Sequence, residues 1–233
     1  MPSNPQLAVV IPVYNEAANL PALLSDWQPV FRATGVPYTV MLIDDGSKDD
    51  SLSLLRSMAA GDSTLDVHTQ ANAGHGAAIL NGYHHALEAE WVFQIDSDHQ
   101  LDTAAFGSLW AQRDAYDLLI AQRRDKNASK GRHWVSRVST WMVRLIYGKG
   151  VEDVNSPYRL MRAGLLRSAL EKIPARSFAP NVLLTSWFIL QKTRIFTTVV
   201  ELRGQGLRQS RLNRYFLSGA IRSSIQTLLF RIR

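Results

Sequence analysis

The chain contains no cysteine. That excludes disulfides and thiolate metal sites, and it suits a reducing cytosol. No stretch reaches the ~18 consecutive apolar residues of a membrane span. The first residues, Met1-Pro2-Ser3-Asn4-Pro5, lack a basic segment followed by an apolar one, so no secretory signal is expected. Internal repeats and low-complexity tracts are absent. Two phosphate-binding signatures are missing too. No G-x-x-x-x-G-K-[S/T] loop occurs, which argues against triphosphate hydrolysis of that kind. Pro12-Val13-Tyr14-Asn15-Glu16 stands where a dinucleotide enzyme carries G-x-G-x-x-G.

What is present is enough for one large domain, or one domain with an appendage: 233 residues, 46% hydrophobic and 20% charged. Net charge is +6 and the isoelectric point is about 9.8. The charge is unevenly spread. Asp44, Asp45, Asp49, Asp50, Asp96, Asp98 and Asp102 lie in the first half, while Arg203, Arg208, Arg211, Arg214, Arg222, Arg231 and Arg233 crowd the end. Acidic groups that need a cation, followed by a basic tail, suggest a phosphorylated substrate near an anionic surface.

Residues 7–13 form a short, continuous, β-branched run of the kind buried in parallel sheets. Further strands are expected over 38–43, 65–69, 91–95 and 117–121, and helices over 17–33, 49–58 and 73–88. Asn15 is expected to cap the first of these helices. This alternation predicts an α/β fold with a largely parallel sheet. The second half reads as more helical, over 134–147, 163–172 and 181–192, with a strand over 195–202.

In such sheets ligands bind beyond the carboxyl ends of the strands. Polar residues gather at five of those ends: Tyr14 and Glu16; Asp44 and Asp45; Gly74 to Gly76; Asp96 and Asp98; and Arg123. Strand side chains alternate faces, so Asp96 and Asp98 can aim at one point. Two converging carboxylates repel unless a cation lies between them, and Mg²⁺ or Mn²⁺ bridges such pairs to phosphates. A lone D-x-D is also an ordinary turn composition. Its position after the fourth strand favours a metal-diphosphate site.

Four motifs follow one another in order: Val10-Ile11-Pro12-Val13-Tyr14-Asn15-Glu16, Ile43-Asp44-Asp45-Gly46-Ser47, Asn72-Ala73-Gly74-His75-Gly76-Ala77-Ala78 and Asp96-Ser97-Asp98. Together they resemble the GT-A fold, family 2 glycosyltransferases. Asp98-His99-Gln100, Ala121-Gln122-Arg123 and the segment from Asp153 through Ser156 and Arg159 to Arg162 resemble polyprenyl-phosphate glycosyltransferases of the dolichol-phosphate mannose synthase type.

The resemblance implies a Rossmann-like domain over residues 1–211, while Leu217, Ile221, Ile225, Leu228, Leu229 and Ile232, at helical spacing among arginines, predict a basic amphipathic helix over 212–233. It implies that Pro12, Tyr14, Glu16, Ile43, Asp45, Gly74 and Asp96 hold the nucleotide, with Asp45 reading the base and Asp44 mainly structural. Asp98, with Asp96 and Gln100, would hold Mg²⁺ or Mn²⁺. His75 stands where the family often has Lys. The donor would be a UDP- or GDP-linked sugar and the acceptor a lipid phosphate, held by Arg123, Arg132 or Arg137, and Arg159. Arg203 or Arg208 would grip the donor diphosphate. A phosphomonoester ionises near pH ~6, so it is already a nucleophile and needs no base. A saccharide hydroxyl as acceptor would need one, and Asp153 is the candidate. A non-catalytic nucleotide-sugar-binding scaffold is the remaining alternative. The tail fits a bilayer surface, a membrane-protein partner or a second subunit. The scheme is that of a cytoplasmic protein, peripheral at the inner face of the membrane, and requires no nucleic acid.

Overall fold

The computed structural model describes residues 5–124, 151, 153–175 and 177–202. The expected strands are present: β1 (Leu7–Val13), β2 (Tyr38–Asp44), β3 (Leu65–Thr69), β4 (Trp91–Gln94), β5 (Leu118–Arg124) and β7 (Ile195–Glu201). A four-residue strand not foreseen in the sequence, β6 (Arg159–Arg162), completes a seven-stranded sheet of order β3-β2-β1-β4-β6-β5-β7. β6 runs antiparallel to both β4 and β5; every other pairing is parallel.

Helices cover both faces: α1 (Leu20–Arg32), α2 (Ser51–Ala60), α3 (His75–Ala86), α4 (Ala104–Gln112), α5 (Ala163–Leu170) and α6 (Pro180–Leu190). Strand periodicity divides the core. Leu7, Val9 and Ile11 face α1 and α4, while Ala8 and Val10 face α3, α5 and α6. On the first side α1 buries Leu20, Leu23, Leu24, Trp27 and Phe31, a helical stripe. Trp27 and Phe31 join Phe93, Phe106 and Tyr158 in an aromatic cluster, Phe93 and Phe106 meeting edge to face at 4.8 Å. Truncating Trp27 to alanine would cost roughly 3–5 kcal/mol.

Asn15 does not cap α1. Asn19 is the residue at the helix boundary. Asn15 adopts a left-handed conformation, φ 55°. It bonds instead to the turn after β2: its N–H donates to Ser47 Oγ and its Oδ1 accepts from Lys48 N–H. α4 was not foreseen, and the helix expected over 134–147 and the tail helix over 212–233 lie outside the described residues. Among the described residues no helix is long and apolar enough to cross a membrane.

Candidate active site

β1 leads to β2 on one side, whereas its other neighbour is β4. Chain direction across the sheet therefore switches between β1 and β4, and the loops beyond them diverge to leave a crevice. A cavity of about 420 Å³ occupies it, walled by Pro12, Val13, Tyr14 and Glu16 at and beyond the end of β1, Asp45 after β2, Asn72, Gly74 and His75 before and at the start of α3, and Asp96, Ser97 and Asp98 after β4. Tyr14 is 41% exposed, a large aromatic surface offered to a ligand.

The sequence builds this crevice by fixing its turns. Asp44 is fully buried and accepts from Ser47 N–H and the Thr69 hydroxyl, which ties the ends of β2 and β3 together. The Asp45 carboxylate organises the next loop. Oδ1 accepts from Gln70 Nε2 (2.7 Å) and Ala73 N–H (2.8 Å), and Oδ2 from Gly74 N–H (2.9 Å). A carboxylate has about four acceptor positions, so one on Oδ2 stays open to a ligand. Gly74 has φ +92°, which admits the turn into α3. A Cβ on Gly76 would collide with the carbonyl oxygen of Ser177, so only glycine lets the segment before α6 cross the head of α3.

Asp96 and Asp98 stand at the β4 end. Burial pushes the Asp98 carboxyl above its ordinary value, the charge of Asp96 adds to this, and Glu16 contributes further. Opposing them are a hydrogen bond from Gln100 N–H to Asp98 Oδ1 and the charge of Arg123. His99 sits at φ 55° and is hydrogen-bonded to Asp26 of α1 at 2.9 Å, which directs it away from the pair. Asp96 Oδ1 lies 3.5 Å from His75 Nε2.

A second cavity, about 730 Å³, lies across the head of α3 and shares Asn72, Gly74, His75 and Asp96 with the first. Its outer walls are Arg123, Asn155, Pro157, Phe178 and Pro180, mostly apolar around one guanidinium. That guanidinium is held by Asp153: Nε donates to Oδ2 at 2.7 Å and Nη2 to Oδ1 at 3.0 Å. Burial disfavours the Arg123 charge, but Asp153, Asp96 and Asp98 outweigh it and the pKa rises.

Two adjoining cavities thus meet at the carboxylates beyond β4, and comparison with known proteins identifies the family that carries this fold. The family model of glycosyl transferase family 2 matches residues 8–173. The chain belongs to glycosyl transferase family 2. It is 32% identical, over 178 residues, to an undecaprenyl-phosphate 4-deoxy-4-formamido-L-arabinose transferase of Pseudomonas paraeruginosa, a match that covers 75% of this chain and 52% of that protein. The chain thus spans about half the length of the curated relatives it matches. In fold it is similar to glucosyl-3-phosphoglycerate synthase from Mycobacterium tuberculosis, solved with Mn²⁺, uridine diphosphate and glucosyl-3-phosphoglycerate (TM-score 0.64, 22% identity, 97% of this chain and 80% of that one). It is also similar to residues 1–349 of Staphylococcus aureus TarS, solved with UDP (TM-score 0.56, 18% identity, 84% and 60%). These likenesses carry the GT-A fold.

Against the family's pattern, the expected residues separate into three groups. Pro12, Tyr14, Glu16, Asp45, Gly74, Asp96 and Asp98 wall the first cavity, and Arg123 the second. Ile43, Gln100, Asp153 and Arg159 wall neither. Ile43 is fully buried under Gly82 of α3, so it supports the crevice from the core and does not line it. Gln100 meets Asp98 through its backbone N–H. Arg132, Arg137, Arg203 and Arg208 lie outside the described residues.

Arg159 is corrected outright as a phosphate ligand. It is 0% exposed, and all five of its N–H donors are engaged, by Ser156 O, Val154 O, Asn181 O and Thr185 Oγ1. Burial lowers its pKa, and the ring of carbonyls takes the place of a counter-ion. Its work is to hold the 154–156 turn beside Asp153.

Asn155, Pro157, Phe178 and Pro180 are walls that sequence reasoning missed. The signal available was Pro180 opening a helix directly behind an aromatic in a loop. The donor set fits a hard divalent ion: two carboxylates supply oxygen ligands, and burial, then the charge of Asp96, raises the Asp98 carboxyl. Among the described residues no cluster of three or more His, Cys, Asp or Glu is built for a metal. Two protein ligands leave the other positions to phosphate oxygens and water, as Mg²⁺ sites commonly do.

Proposed function

We propose that the chain is the catalytic domain of an inverting glycosyltransferase that moves a sugar from a nucleoside diphosphate to a polyprenyl phosphate. The observation that carries this is the Arg123–Asp153 pair. A hydroxyl acceptor needs a carboxylate free to take its proton. Here both Asp153 oxygens are engaged by Arg123, and the Asp153 side chain is 12% exposed. A phosphate acceptor needs no base but does need a fixed cation, and Arg123 supplies one in the wall of an apolar pocket beside the D-x-D. The names of the curated relatives, undecaprenyl-phosphate sugar transferases, support the same acceptor class. The UDP complexes of the structural neighbours support a nucleotide-sugar donor, UDP- or GDP-linked.

In this scheme the nucleoside sits against Tyr14 and Glu16, and Asp45 accepts from the base through its open position. The N–H groups at the head of α3 face the diphosphate, where a helix end favours negative charge. Asp96 and Asp98 hold a divalent cation, Mg²⁺ or Mn²⁺, which when bound offsets charge on the departing diphosphate. Arg123 holds the acceptor phosphate in line. Its oxygen forms the new bond to the anomeric carbon as the bond to the diphosphate breaks, which inverts configuration. Phe178, Pro157 and Pro180 give the first isoprene units an apolar wall. Such a protein works at the cytoplasmic face of the membrane, as a peripheral enzyme or docked on a membrane partner.

The test is nucleoside diphosphate release from a panel of UDP- and GDP-sugars, with and without undecaprenyl phosphate, Mn²⁺ or Mg²⁺. Release should require lipid phosphate and be lost in excess chelator. Asp153→Asn should reduce turnover less than about tenfold, well below the 10²–10⁴-fold loss of a general base. Lipid-independent release, or a loss in the base range with acceptor binding intact, would overturn the acceptor assignment.

A further inference from the structure

Gln94 is an anomaly. It ends β4, in the sequence Trp91-Val92-Phe93-Gln94, and is completely buried in an otherwise apolar strand. A buried amide left without partners costs about 1–3 kcal/mol, so its position calls for partners and for a reason. The partners come from two helices. Oε1 accepts from the Tyr83 hydroxyl of α3 at 2.8 Å and from Asn181 Nδ2 of α6 at 2.9 Å. The Tyr83 hydroxyl and Asn181 Oδ1 are themselves 3.0 Å apart. Asn181 is fixed in turn, because its backbone carbonyl accepts from Arg159 Nη1 and Thr185 Oγ1.

With its oxygen end facing Asn181 Nδ2 and the Tyr83 hydroxyl, whose one proton it shares with Asn181 Oδ1, the amide has one orientation. Its nitrogen must face the other way, and there it donates to Asp96 Oδ1 at 3.4 Å. His75 approaches the same oxygen. Among the described residues Asp96 Oδ2 accepts no hydrogen bond, so the protein holds one oxygen of Asp96 and leaves the other to the cavities. An exposed carboxylate at a strand end rotates freely; one tethered from below does not.

We propose that Gln94, locked by Tyr83 and Asn181, is the positioning residue that orients Asp96 for its cation. The inference rests on the reading of Asp96 and Asp98 as the metal-holding pair and adds to it an internal support. Groups that orient metal ligands commonly change metal affinity 10–100-fold when lost.

The 233-residue chain is titrated with Mn²⁺ at saturating UDP, or GDP where UDP does not bind, free Mn²⁺ being read by electron paramagnetic resonance, and binding of the same nucleotide without metal is measured by calorimetry. Gln94→Met keeps the volume and removes the amide. It should weaken Mn²⁺ binding about tenfold and leave metal-free nucleotide affinity unchanged. Tyr83→Phe, which loosens the lock but leaves Asn181 in place, should weaken it about threefold by the same reasoning. Ser186→Ala, equally buried on α6 but bonded only to Val182 O, should leave Mn²⁺ affinity at the wild-type value. Should Gln94→Met fail to fold, Tyr83→Phe decides. Wild-type Mn²⁺ affinity in the folded variants overturns the positioning role and leaves the metal site intact. Absence of Mn²⁺ binding in the wild type with UDP and equally with GDP overturns both. An equal loss in Ser186→Ala would show a general packing effect and overturn the specific role.

Discussion

The two ends of the sheet treat aspartate in opposite ways. At the carboxyl ends, burial and then the charge of Asp96 push Asp98 up, with Glu16 adding to them. At the amino ends, Asp117 is held below its ordinary value by hydrogen bonds from the Arg194 side chain, which outweigh burial; Arg194 N–H and Arg162 add to the effect. Arg194 contacts both Asp117 oxygens, at 3.2 and 2.9 Å, and Arg162 stands 3.5 Å away with its guanidinium stacked on Trp91 at 4.5 Å. One end is closed as an ion cluster. Among the described residues the other gathers Glu16, Asp96 and Asp98 around a cavity, with Arg123 as the opposing charge on Asp98. An apparent shortage of stabilising partners is thus the physical mark of a binding site.

The largest effect that separates the ends is expected for Asp98→Asn. Turnover should fall about 10²–10³-fold, the scale for removing a main electrostatic support of the leaving charge. Metal-free stability should not fall with it. Because the folded pKa of Asp98 is raised, its contribution to stability is present below the ordinary carboxylate value of 3.8 and is lost as pH rises through the raised folded value. At neutral pH the raised folded pKa opposes folding, and asparagine has no carboxyl to bury. Melting curves with chelator present should therefore show the variant at or above the wild type. A clear drop would make Asp98 a structural hub and erase the contrast.

Between the ends lies Arg159, for which the expected effect is on folding. Arg159→Met removes five donors from the buried Ser156, Val154 and Asn181 carbonyls and Thr185 Oγ1, leaving Ser156 O without its guanidinium partner, and should cost roughly 3 kcal/mol, measured by urea unfolding. A variant of wild-type stability that loses only acceptor binding would restore Arg159 as a phosphate ligand.

Arg159 also marks where sequence reading stops. A motif identifies a cation but not whether carbonyls or solvent surround it. β1, β2 and β4 were legible to within a residue or so because each is a short, largely apolar run bounded by polar turns, β3 by its alternation of Leu65 and Val67 with polar residues, and the crevice follows from where those strands end. β6 was not legible: Arg159-Leu160-Met161-Arg162 is too short and too charged at its ends to show a period. α4 carries Gly107 in its middle, which weakens a helical pattern. Asn15 reads as the cap of the first helix, and only its contact with Ser47, thirty-two positions on, shows that it belongs to the turn after β2. Arg123 and Asp153 each stood out alone; that they grip each other across thirty positions depends on the antiparallel insertion of β6.

The smallest effect belongs to the closed end. Asp117→Asn should lower the melting temperature at pH 7 by a few degrees, within the range of a modest surface-cluster loss for a chain of this size. The sign of its pH dependence is the reverse of that at Asp98. A depressed folded pKa means that the stabilisation is present above the ordinary value of 3.8 and is lost as pH falls through the lower folded value. Wild type and variant should therefore diverge above about pH 5 and converge in stronger acid. Arg194 is 57% exposed, so added salt should shrink the difference as screening weakens the pair. Glycosyl transfer should be unchanged at every pH where both proteins are folded, since Asp117 sits before β5 while Arg123 sits near its far end. A parallel loss of transfer would mean that β5 relays strain along its length, and the two ends would then be one coupled system.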